Sequence, residues 1–248
     1  MPEDLAVRRG QDRSFPPFLF PEYRSTRSRA PSRPLVEPPR TISERTGPGP
    51  ALAEMVEPDA DLTSNAGTGA VALGERIIVT GTLRDAAGDP VPNAVIEIWQ
   101  ANAAGRYLHD EDRHDAPLDP NFTGIGTCLT DGTGTYRFLS VRPGAYPWGN
   151  HPNAWRPAHV HLSILGSSFS DRLVTQMYFP GDPLQPLDPI LNAIPDPAAR
   201  DRLVARYEHE ITEPGRALGF RFDLRLAGPT ATPFEDPEPP HGRRVHAG

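Results

Sequence analysis

The sequence of 248 residues contains no lysine, so all 25 of its basic residues are arginine, and it contains a single cysteine, Cys128. A net charge of −7 at pH 7 argues against the basic face that a nucleic-acid-binding protein needs to displace counterions. A lone cysteine excludes an intrachain disulfide and a cluster of thiolate metal ligands, which fits a reducing cytoplasm. We therefore predict that Cys128 is a small buried thiol rather than a nucleophile.

Long apolar segments are also absent. The N-terminal segment MPEDLAVRRGQDRSF lacks the apolar core of a signal peptide. No later segment reaches the roughly 20 apolar residues that a membrane-spanning helix requires. These absences predict a soluble, cytoplasmic protein with neither a nucleic acid nor a membrane as its partner.

Proline, by contrast, is abundant, and the 31 prolines are concentrated at the two ends of the chain. Residues 1–74 are predicted to form an extended N-terminal arm that packs on the core or on a partner subunit. Residues 75–228 are predicted to form a β-sandwich domain, and residues 229–248 a mostly loose tail. The arm contains four closely spaced aromatic residues, Phe15, Phe18, Phe20 and Tyr23. We expect it to pack on another surface because a disordered segment rarely carries so many.

The middle of the chain alternates short apolar segments with turn residues, which is typical of strands. The predicted strands cover residues 75–85, 94–101, 124–141, 159–165, 172–179 and 220–226. Within 124–141, the sequence Asp131-Gly132-Thr133-Gly134 predicts a hairpin turn between two strands. Few helices and many strands predict an all-β fold, a β-sandwich of the immunoglobulin-like or transthyretin-like kind.

One helix is predicted after residue 196. Asp196 has the side chain of a helix N-cap, and Pro197 is suited to the first helical position. The apolar residues that would form one face of this helix are Leu203, Val204, Tyr207 and Ile211.

The clearest chemical pattern is the segment Arg156-Pro157-Ala158-His159-Val160-His161-Leu162-Ser163-Ile164. Alternate residues of a strand point to the same face, so His159 and His161 lie together, about 7 Å apart along the backbone. Val160, Leu162 and Ile164 then point into the core. The pair fits either a shared metal ion or two hydrogen-bonded histidines on a polar sheet face, and the spacing alone does not choose between them.

The residues available as further ligands beside these histidines narrow the choice of metal. A zinc site would typically recruit further histidine, cysteine or carboxylate ligands, and Cys128 offers one thiolate at most. No glutamate follows His161 at short range, which disfavours the cupin pattern. Tyr107 and Tyr146 remain, and a phenol with a pKa of about 10 binds as tyrosinate only to a strongly acidic cation such as Fe(III). Taken singly, either tyrosine is better explained by loop packing.

Several blocks in the same order resemble the intradiol ring-cleavage dioxygenases. They are Gly105-Arg106-Tyr107, Leu118-Asp119-Pro120-Asn121-Phe122, Pro143-Gly144-Ala145-Tyr146-Pro147-Trp148 and Trp155-Arg156-Pro157-Ala158-His159-Val160-His161, with further matches at Thr41-Ile42-Ser43-Glu44, Gly74–Val79 and Gln176–Phe179. More narrowly, the chain is similar to the iron-carrying beta subunits of the branch that cleaves protocatechuate. The resemblance implies a β-sandwich enzyme of aromatic catabolism, in the β-ketoadipate pathway. It would use O2 to open protocatechuate (3,4-dihydroxybenzoate) to 3-carboxy-cis,cis-muconate.

The resemblance also implies one non-haem Fe(III) ion per chain. The positions that match its protein ligands are Tyr107, Tyr146, His159 and His161, with a solvent hydroxide beside them. By similarity, Tyr146 and His161 would be axial, and Tyr107 and His159 equatorial. Tyr146 would also be catalytic, because it would leave the iron as the substrate binds and take one of the two catechol protons.

Four further positions match catalytic and substrate-binding residues of the family. Arg156 matches an arginine that stabilises negative charge developing on the substrate ring. Gln176 matches a glutamine near the bound ring. Trp148 and Ile190 match residues that line the aromatic slot.

In the arm, Tyr23 and Arg29 match a segment that lies near the substrate carboxylate, which Arg29 would help to oppose. His109, His114 and His151 lie near the motif loops but match no ligand position, so we predict that they are ordinary polar residues.

The resemblance implies a partner, a related alpha subunit that borders the active site but lacks iron ligands, and a larger hetero-oligomer of such pairs. One alternative is a catechol or hydroxyquinol 1,2-dioxygenase without a second subunit. That type carries a helical N-terminal dimerisation region, which the proline-rich residues 1–74 do not match. Another alternative is a non-catalytic transthyretin-like carrier or binding module. The fold permits it, but it leaves the four ligand-type residues unexplained.

Overall fold

The strands predicted from alternating apolar residues form two sheets that share one apolar core. The structure is a computed structural model, and it describes residues 13–33, 56–166 and 172–234, together with Ile42 and Glu54. The core contains side chains from both sheets, such as Ile77 and Val79 of one and Ile96 and Val160 of the other. The predicted all-β sandwich is confirmed.

The first sheet is built around its longest strand, β1 (Arg76–Arg84). On one side, β1 pairs antiparallel with β4 (Thr135–Val141). On the other side, it pairs in parallel with β10 (Leu218–Arg221) and then with β11 (Leu224–Arg225). The edge strand β9 (Arg206–Tyr207) pairs antiparallel with β10.

The second sheet has the strand order β3 (Ile125–Leu129), β2 (Val95–Trp99), β7 (His159–Leu165) and β8 (Arg172–Tyr178), and its neighbours are all antiparallel. Residues 159–164 of β7 are all buried. Both faces of this strand are therefore covered, which excludes two solvated histidines on an open sheet face.

A two-stranded ribbon precedes β7. It consists of β5 (Tyr146–Pro147) and β6 (Trp155–Arg156), which pair antiparallel with Tyr146 opposite Arg156. The ribbon is closed further by a hydrogen bond from the Trp148 N–H to the Ala154 carbonyl at 3.1 Å. The sequence did not predict these short strands, because two residues are too few for an alternating pattern.

The hairpin predicted within residues 124–141 is wrong, although its turn and its two strands exist. The Gly134 N–H donates to the Asp131 carbonyl at 2.9 Å, which closes the turn. The strands on either side, β3 and β4, then pair with different sheets. Each strand buries apolar residues in the shared core, for example Cys128 from β3 and Phe138 from β4, and the core lies between the sheets.

The helices that lie within residues 13–33 and 172–234 are short. They are α1 (Thr26–Arg29), α2 (Pro189–Asn192) and α3 (Pro197–Asp201), with a 3₁₀ turn at Gln185–Leu187. Within the described ranges, no helix has the length and apolar character needed to cross a membrane.

The predicted helix after residue 196 is real at its start and wrong beyond Asp201. Asp196 is its N-cap, and the carboxylate accepts a hydrogen bond from the Ala198 N–H at 3.0 Å. The chain then leaves the helix because the backbone of Tyr178 bonds to both Leu203 and Ala205, each at 2.8 Å. The predicted apolar face on Leu203, Val204, Tyr207 and Ile211 therefore does not exist as a helical face.

Part of the predicted arm closes the open side of the sandwich. Asp59 forms a bridge with Thr127 in the second sheet, and Asp61 forms one with Leu139 in the first. Leu62, the residue after Asp61, is fully buried and belongs to the shared core. Residues 56–62 thus bind both sheets and complete the core.

The start of the predicted loose tail is packed instead. The ring of Phe234 stacks on Phe15 with a centroid distance of 4.7 Å, and the Thr175 hydroxyl donates to the Pro233 carbonyl at 2.6 Å. The remaining predictions for the tail and the arm concern residues outside the described ranges: 1–12, 34–41, 43–53, 55 and 235–248.

Candidate metal centre and substrate pocket

Two glycines bring the two tyrosine-bearing loops together. Gly105 has a φ of +78°, and a Cβ atom built on it would stand 2.1 Å from the Ala145 carbonyl oxygen. A Cβ atom on Gly144 would stand 2.5 Å from the Gly105 nitrogen. Only glycine permits this backbone contact. It places the rings of Tyr107 and Tyr146 edge to face, 5.3 Å apart.

Asn102 stabilises the turn that carries Tyr107. Its Oδ1 atom accepts from the Arg106 N–H at 3.0 Å, and its backbone carbonyl accepts from the Gly144 N–H at 2.9 Å. The Tyr107 N–H in turn donates to Asp112 Oδ2 at 2.8 Å. Asn102 was not predicted as a site residue. An asparagine directly before an Ala-Ala-Gly turn is a signal that could have identified it.

Strand register places further polar residues on the face that carries the two histidines. His159 lies opposite Tyr178, and His161 opposite Gln176 in the antiparallel pair of β7 and β8. Directly opposite residues share a face. Tyr178 was not predicted as a site residue, although its spacing of two from Gln176 on a strand was visible in the sequence.

The donor atoms of the histidines and of Tyr146 meet at one point. The Nε2 atoms of His159 and His161 are 3.2 Å apart, and the Tyr146 hydroxyl is 3.2 Å from the same His159 Nε2. The Nδ1 atom of His159 lies 2.7 Å from the Pro157 carbonyl. A carbonyl only accepts, so Nδ1 carries the proton and Nε2 of the neutral ring presents its lone pair to the cluster.

The environment of His159 favours this neutral ring. Burial holds the pKa of His159 well below its ordinary value, and the nearby Arg156 and His161 lower the pKa further. His161 is fixed differently, because its ring stacks on Trp99 at 4.9 Å with only 5° between the planes. A neutral imidazole with a defined tautomer and orientation is the form that binds a metal ion.

The donor atoms of Tyr146, His159 and His161 are close enough to share one ion, and the Tyr107 ring lies beside them. Metal–nitrogen bonds are about 2 Å long, so donors about 3 Å apart fit neighbouring positions around one ion. The Tyr107 ring lies 6.5 Å from that of His161, and its hydroxyl is shielded from solvent. Among the described residues, no group of three histidine, cysteine or carboxylate side chains is placed to hold a metal. A metal site built on these two histidines would take the neighbouring tyrosines as further ligands, and phenolate oxygens suit a hard trivalent cation.

Arg156 is buried beside this cluster rather than exposed in a surface ion pair. Its Nη1 atom is 3.1 Å from His159 Nε2. Its Nη2 atom donates to three acceptors: Gln176 Oε1 at 2.5 Å, the Tyr178 hydroxyl at 3.0 Å and Asp188 Oδ2 at 2.9 Å. Asp188 was missed in the sequence. We call Arg156, Gln176, Tyr178 and Asp188 the arginine cluster.

Comparison with known proteins gives the family. The family model described as dioxygenase matches residues 48–228, and the model for the N-terminal part of the protocatechuate 3,4-dioxygenase beta subunit matches residues 7–40. The protocatechuate 3,4-dioxygenase beta chain of Burkholderia cepacia is 54% identical over 222 residues, which cover 90% of this chain and 94% of that one. This chain belongs to the intradiol ring-cleavage dioxygenases.

Two more distant relatives are also similar to this dioxygenase. The protocatechuate 3,4-dioxygenase alpha chain of Burkholderia cepacia is 29% identical over 166 residues, covering 66% of this chain and 78% of that one. Among solved structures, catechol 1,2-dioxygenase from Pseudomonas arvilla C-1 has a TM-score of 0.51 and 25% identity, covering 76% of this chain and 62% of that one. Family membership confirms that the chain is an enzyme, so the binding-module alternative is wrong.

The dioxygenase has buried polar atoms that point to a ligand. Gln176 Nε2 and Trp148 Nε1 are shielded from solvent, and neither has a hydrogen-bond partner among the described residues. A buried donor without a partner is costly unless a ligand or water completes it. A cavity of about 20 Å³ is lined by Gln176, Ile190 and Tyr23, among others. A larger cleft of about 420 Å³ opens beside Tyr107.

The N-terminal arm of the dioxygenase reaches this pocket. The side chain of Asn150 accepts from the Arg24 N–H at 2.8 Å and donates to the Glu22 carbonyl at 2.7 Å. Held in this way, the ring of Tyr23 lies 5.5 Å from that of Trp148, and the Arg29 guanidinium lies 4.7 Å over Tyr23. The structure thus places Tyr23 beside Trp148, and Arg29 over Tyr23.

The three other histidines near the motif loops make local contacts. His109 Nδ1 accepts from the Glu111 N–H, His151 Nδ1 lies 2.8 Å from the Pro152 carbonyl, and the His114 ring packs edge to face on Trp155. These contacts join each of the three to residues close to it in sequence or on the two-stranded ribbon.

Proposed function

We propose that this dioxygenase is the iron-bearing beta subunit of a protocatechuate 3,4-dioxygenase, which cleaves 3,4-dihydroxybenzoate with O2 to 3-carboxy-cis,cis-muconate. The chemistry is supported most by the position of His159 Nε2, which lies 3.2 Å from both the Tyr146 hydroxyl and His161 Nε2. The observation that supports the substrate is the 54% identity to a protocatechuate 3,4-dioxygenase beta chain over nearly its full length.

Tyr107, Tyr146, His159 and His161 would hold one non-haem Fe(III) ion per chain. When bound, the ion supplies Lewis acidity and the electron transfer that makes a catechol ring reactive toward O2. The donor set supports this choice because a hard trivalent ion favours phenolate oxygen, while the neutral imidazoles add no charge. The side chains that orient the donors are Trp99, stacked on His161, and the Pro157 carbonyl, bonded to His159.

Tyr146 serves as a base as well as a ligand. A catechol has two phenolic hydroxyls and must lose both protons to chelate a metal through both oxygens. Tyr146 in its deprotonated, tyrosinate form would accept one of these protons and become a neutral phenol, and a solvent hydroxide would take the other. Its position supports the role, because Tyr146 lies on the half-buried two-stranded ribbon, whereas His159 and His161 lie on a central strand of the sheet. A side chain on a short ribbon has more freedom to move than one held between two strands.

Arg156 and Gln176 act on the substrate ring. The guanidinium of Arg156 remains charged at any ordinary pH, and its burial strengthens its attraction for negative charge that develops on the ring. The Gln176 Oε1 atom is engaged by Arg156 and Tyr178, which leaves its Nε2 donor available for the substrate. Both residues are already oriented before substrate binds, so their reorganisation costs little.

The remaining contacts set the shape and polarity of the pocket. Trp148 and Ile190 form the apolar walls of the aromatic slot. Tyr23 and Arg29 lie at the end where the substrate carboxylate would be bound, and a guanidinium can bind a carboxylate with two hydrogen bonds. The packing of Tyr23 against Trp148 supports this arrangement.

We further infer that the chain works in the cytoplasm with a related alpha chain, in a larger hetero-oligomer. The similarity of the Burkholderia cepacia alpha chain supports a partner of the same fold. Residues 1–74 serve as an arm that packs on the core or on this partner, and residues 75–228 as the catalytic domain.

The test is to purify the chain co-expressed with its alpha chain, and to measure iron content, visible absorption, and O2 uptake with protocatechuate and with catechol. We expect one iron per beta chain, a broad visible band from tyrosinate bound to Fe(III), and much faster turnover of protocatechuate. A colourless protein that stays inert after loading with iron contradicts the metal site. Preferred turnover of catechol contradicts the substrate assignment.

A further inference from the structure

The carboxylate of Asp188 joins two parts of the site that are separate in the sequence. It is fully buried, and its two oxygens have different partners. Oδ2 accepts from Arg156 Nη2 at 2.9 Å and from the Tyr178 hydroxyl at 3.0 Å. Oδ1 accepts from the Ile190 N–H at 3.0 Å and so caps helix α2. One side chain therefore fixes both the arginine and the start of the helix that carries Ile190.

The charge of Asp188 is needed where it lies. The Arg156 guanidinium is almost fully buried, and its Nη1 atom lies 3.1 Å from His159 Nε2. A second cation bound at His159 would repel it, and desolvation already disfavours a buried charge. The Asp188 carboxylate pairs with Nη2 of the guanidinium, whereas His159 Nε2 lies beside Nη1. This pairing offsets part of the repulsion by a bound cation and part of the desolvation cost.

Asp188 also sets the direction of the guanidinium. An arginine side chain has many rotamers, and fixing one of them costs conformational entropy. Three acceptors on Nη2, from two strand residues and Asp188, restrict it to one orientation. In that orientation Nη1 points to the metal-binding end of the site. Without the carboxylate, only the neutral acceptors of Gln176 and Tyr178 would remain on Nη2.

We propose that Asp188 is a positioning residue for ring cleavage. It holds Arg156 at the metal end of the site and, through the same carboxylate, holds Ile190 at the slot. The proposal rests on the proposed function above. Asp188 does not touch the substrate, so its effect on the reaction is transmitted through Arg156 and Ile190.

The main variant is Asp188→Asn, which keeps the shape and a carbonyl oxygen for the Ile190 N–H but removes the charge. We expect kcat per bound iron to fall at least about tenfold, because Arg156 loses its orientation. The Kd of protocatechuate, measured without O2, should change less than about threefold, since the cap is retained. Asp188→Ala, which also removes the cap, should in addition raise this Kd. A kcat per iron within twofold of the unaltered enzyme in Asp188→Asn overturns the proposal.

Asp196→Asn is the matched control. Asp196 also precedes a proline and caps the next helix through the Ala198 N–H, and it is not a member of the arginine cluster. We expect its kcat and Kd to stay within twofold of the unaltered enzyme. An equal loss of kcat in Asp196→Asn and Asp188→Asn would mean that capping alone explains the effect, and would overturn the role of the charge.

A double-mutant cycle tests the route through Arg156. In the Arg156→Gln background, Asp188→Asn should lower kcat per iron less than twofold. A full additional tenfold loss would show that Asp188 acts elsewhere. The same cycle can be measured as the thermal stability of the metal-free protein, a readout that does not depend on activity. In Asp188→Asn alone, the Arg156 charge remains buried without its partner. The double variant should therefore be more stable than Asp188→Asn alone, because it buries no unpaired charge. Strictly additive losses of stability would contradict the pairing.

If Asp188→Asn does not fold, the Tyr178→Phe variant tests the same cluster. It removes one hydroxyl that is bonded to Asp188 and leaves the charges of Asp188 and Arg156 in place. It should lower kcat about two- to fivefold without changing the Kd of protocatechuate, and an unchanged kcat would count against the cluster. An unaltered enzyme without iron or turnover refutes the proposed function, whereas an active enzyme that tolerates Asp188→Asn refutes only the positioning role.

Discussion

Gly105 and Ala145 are in backbone contact: a Cβ atom on Gly105 would stand 2.1 Å from the Ala145 carbonyl oxygen. This contact joins the turn that carries Tyr107 to the loop that carries Tyr146. The two glycines in the motifs Gly105-Arg106-Tyr107 and Pro143-Gly144-Ala145-Tyr146 are therefore required by the approach of two chain segments far apart in sequence.

Gly105→Ala should separate the two tyrosine-bearing loops. The φ of +78° is unfavourable for alanine by about 1–2 kcal/mol, and the clash is with backbone, which cannot rotate away. We expect lower thermal stability and a lower iron content per chain. Gly132→Ala, where a Cβ atom meets nothing within 4 Å, is the control and should leave both unchanged. Full iron content in Gly105→Ala would show that the contact does not position the ligands.

Removal of a ligand should lower iron occupancy. We expect His159→Ala, His161→Ala and Tyr107→Phe each to contain less iron after purification and after reloading with Fe, measured by elemental analysis. The control is His151→Ala, an exposed histidine that is bonded locally and should retain its iron. Full iron content in both His159→Ala and His161→Ala would refute the ligand assignment.

Tyr146→Phe should separate metal binding from proton transfer. The variant keeps the ring that packs against Tyr107 and loses the hydroxyl near His159. We expect it to bind iron but to form the substrate complex slowly, because the base for one catechol proton is missing. Stopped-flow absorption after mixing with protocatechuate without O2 measures this step. Binding as fast as in the unaltered enzyme would remove Tyr146 from the base role.

Asn150→Ala should release the arm from the pocket. The side chain makes two hydrogen bonds to the backbone of Glu22 and Arg24, each worth about 1 kcal/mol. If Tyr23 and Arg29 bind the substrate carboxylate, KM for protocatechuate should rise several-fold while kcat changes little. Ser28→Ala, which removes an exposed hydrogen bond within the arm, should leave KM unchanged. An unchanged KM in Asn150→Ala would argue against a role for the arm in binding.

Cys128 should be unreactive in the folded protein. Burial raises the pKa of its thiol to about 12 from an ordinary 9.0, so the nucleophilic thiolate is nearly absent at pH 8. A thiol reagent should label it only after unfolding in urea. Because the unfolded chain loses this proton first, the free energy of unfolding should fall as pH rises from about 9 towards 12. Rapid stoichiometric labelling of native protein at pH 8 would contradict the buried environment.

Local pattern was sufficient for the longer strands and for the two histidines. Strand β7 was predicted with its observed bounds, His159 to Leu165, because strict alternation is a property of neighbouring residues. The cap at Asp196 was predicted for the same reason. The helical face beyond Asp201 was wrong because the bonds of Leu203 and Ala205 to Tyr178 override local propensity.

Two of the residues that were missed, Asp188 and Asn150, have roles that depend on partners far away in the sequence. Asp188 lies 32 positions from Arg156, and Asn150 lies 126 from Arg24. Nothing local distinguishes Asp188 from Asp196, since each precedes a proline and caps a short helix. The two aspartates differ in their tertiary contacts, because the folded chain places Arg156 beside Asp188.

The sequence by itself determined that the chain is built of strands in which apolar and polar residues alternate. It also determined that His159 and His161 share a face, and that two glycine-containing loops carry tyrosines. These are consequences of chain geometry over a few residues. The tertiary structure alone decided that β3 and β4 separate into opposite sheets, that Tyr146 meets His159 at 3.2 Å, and that Asp188 pairs with Arg156. Such contacts depend on how the whole core packs, because burial is shared among residues that are far apart along the chain.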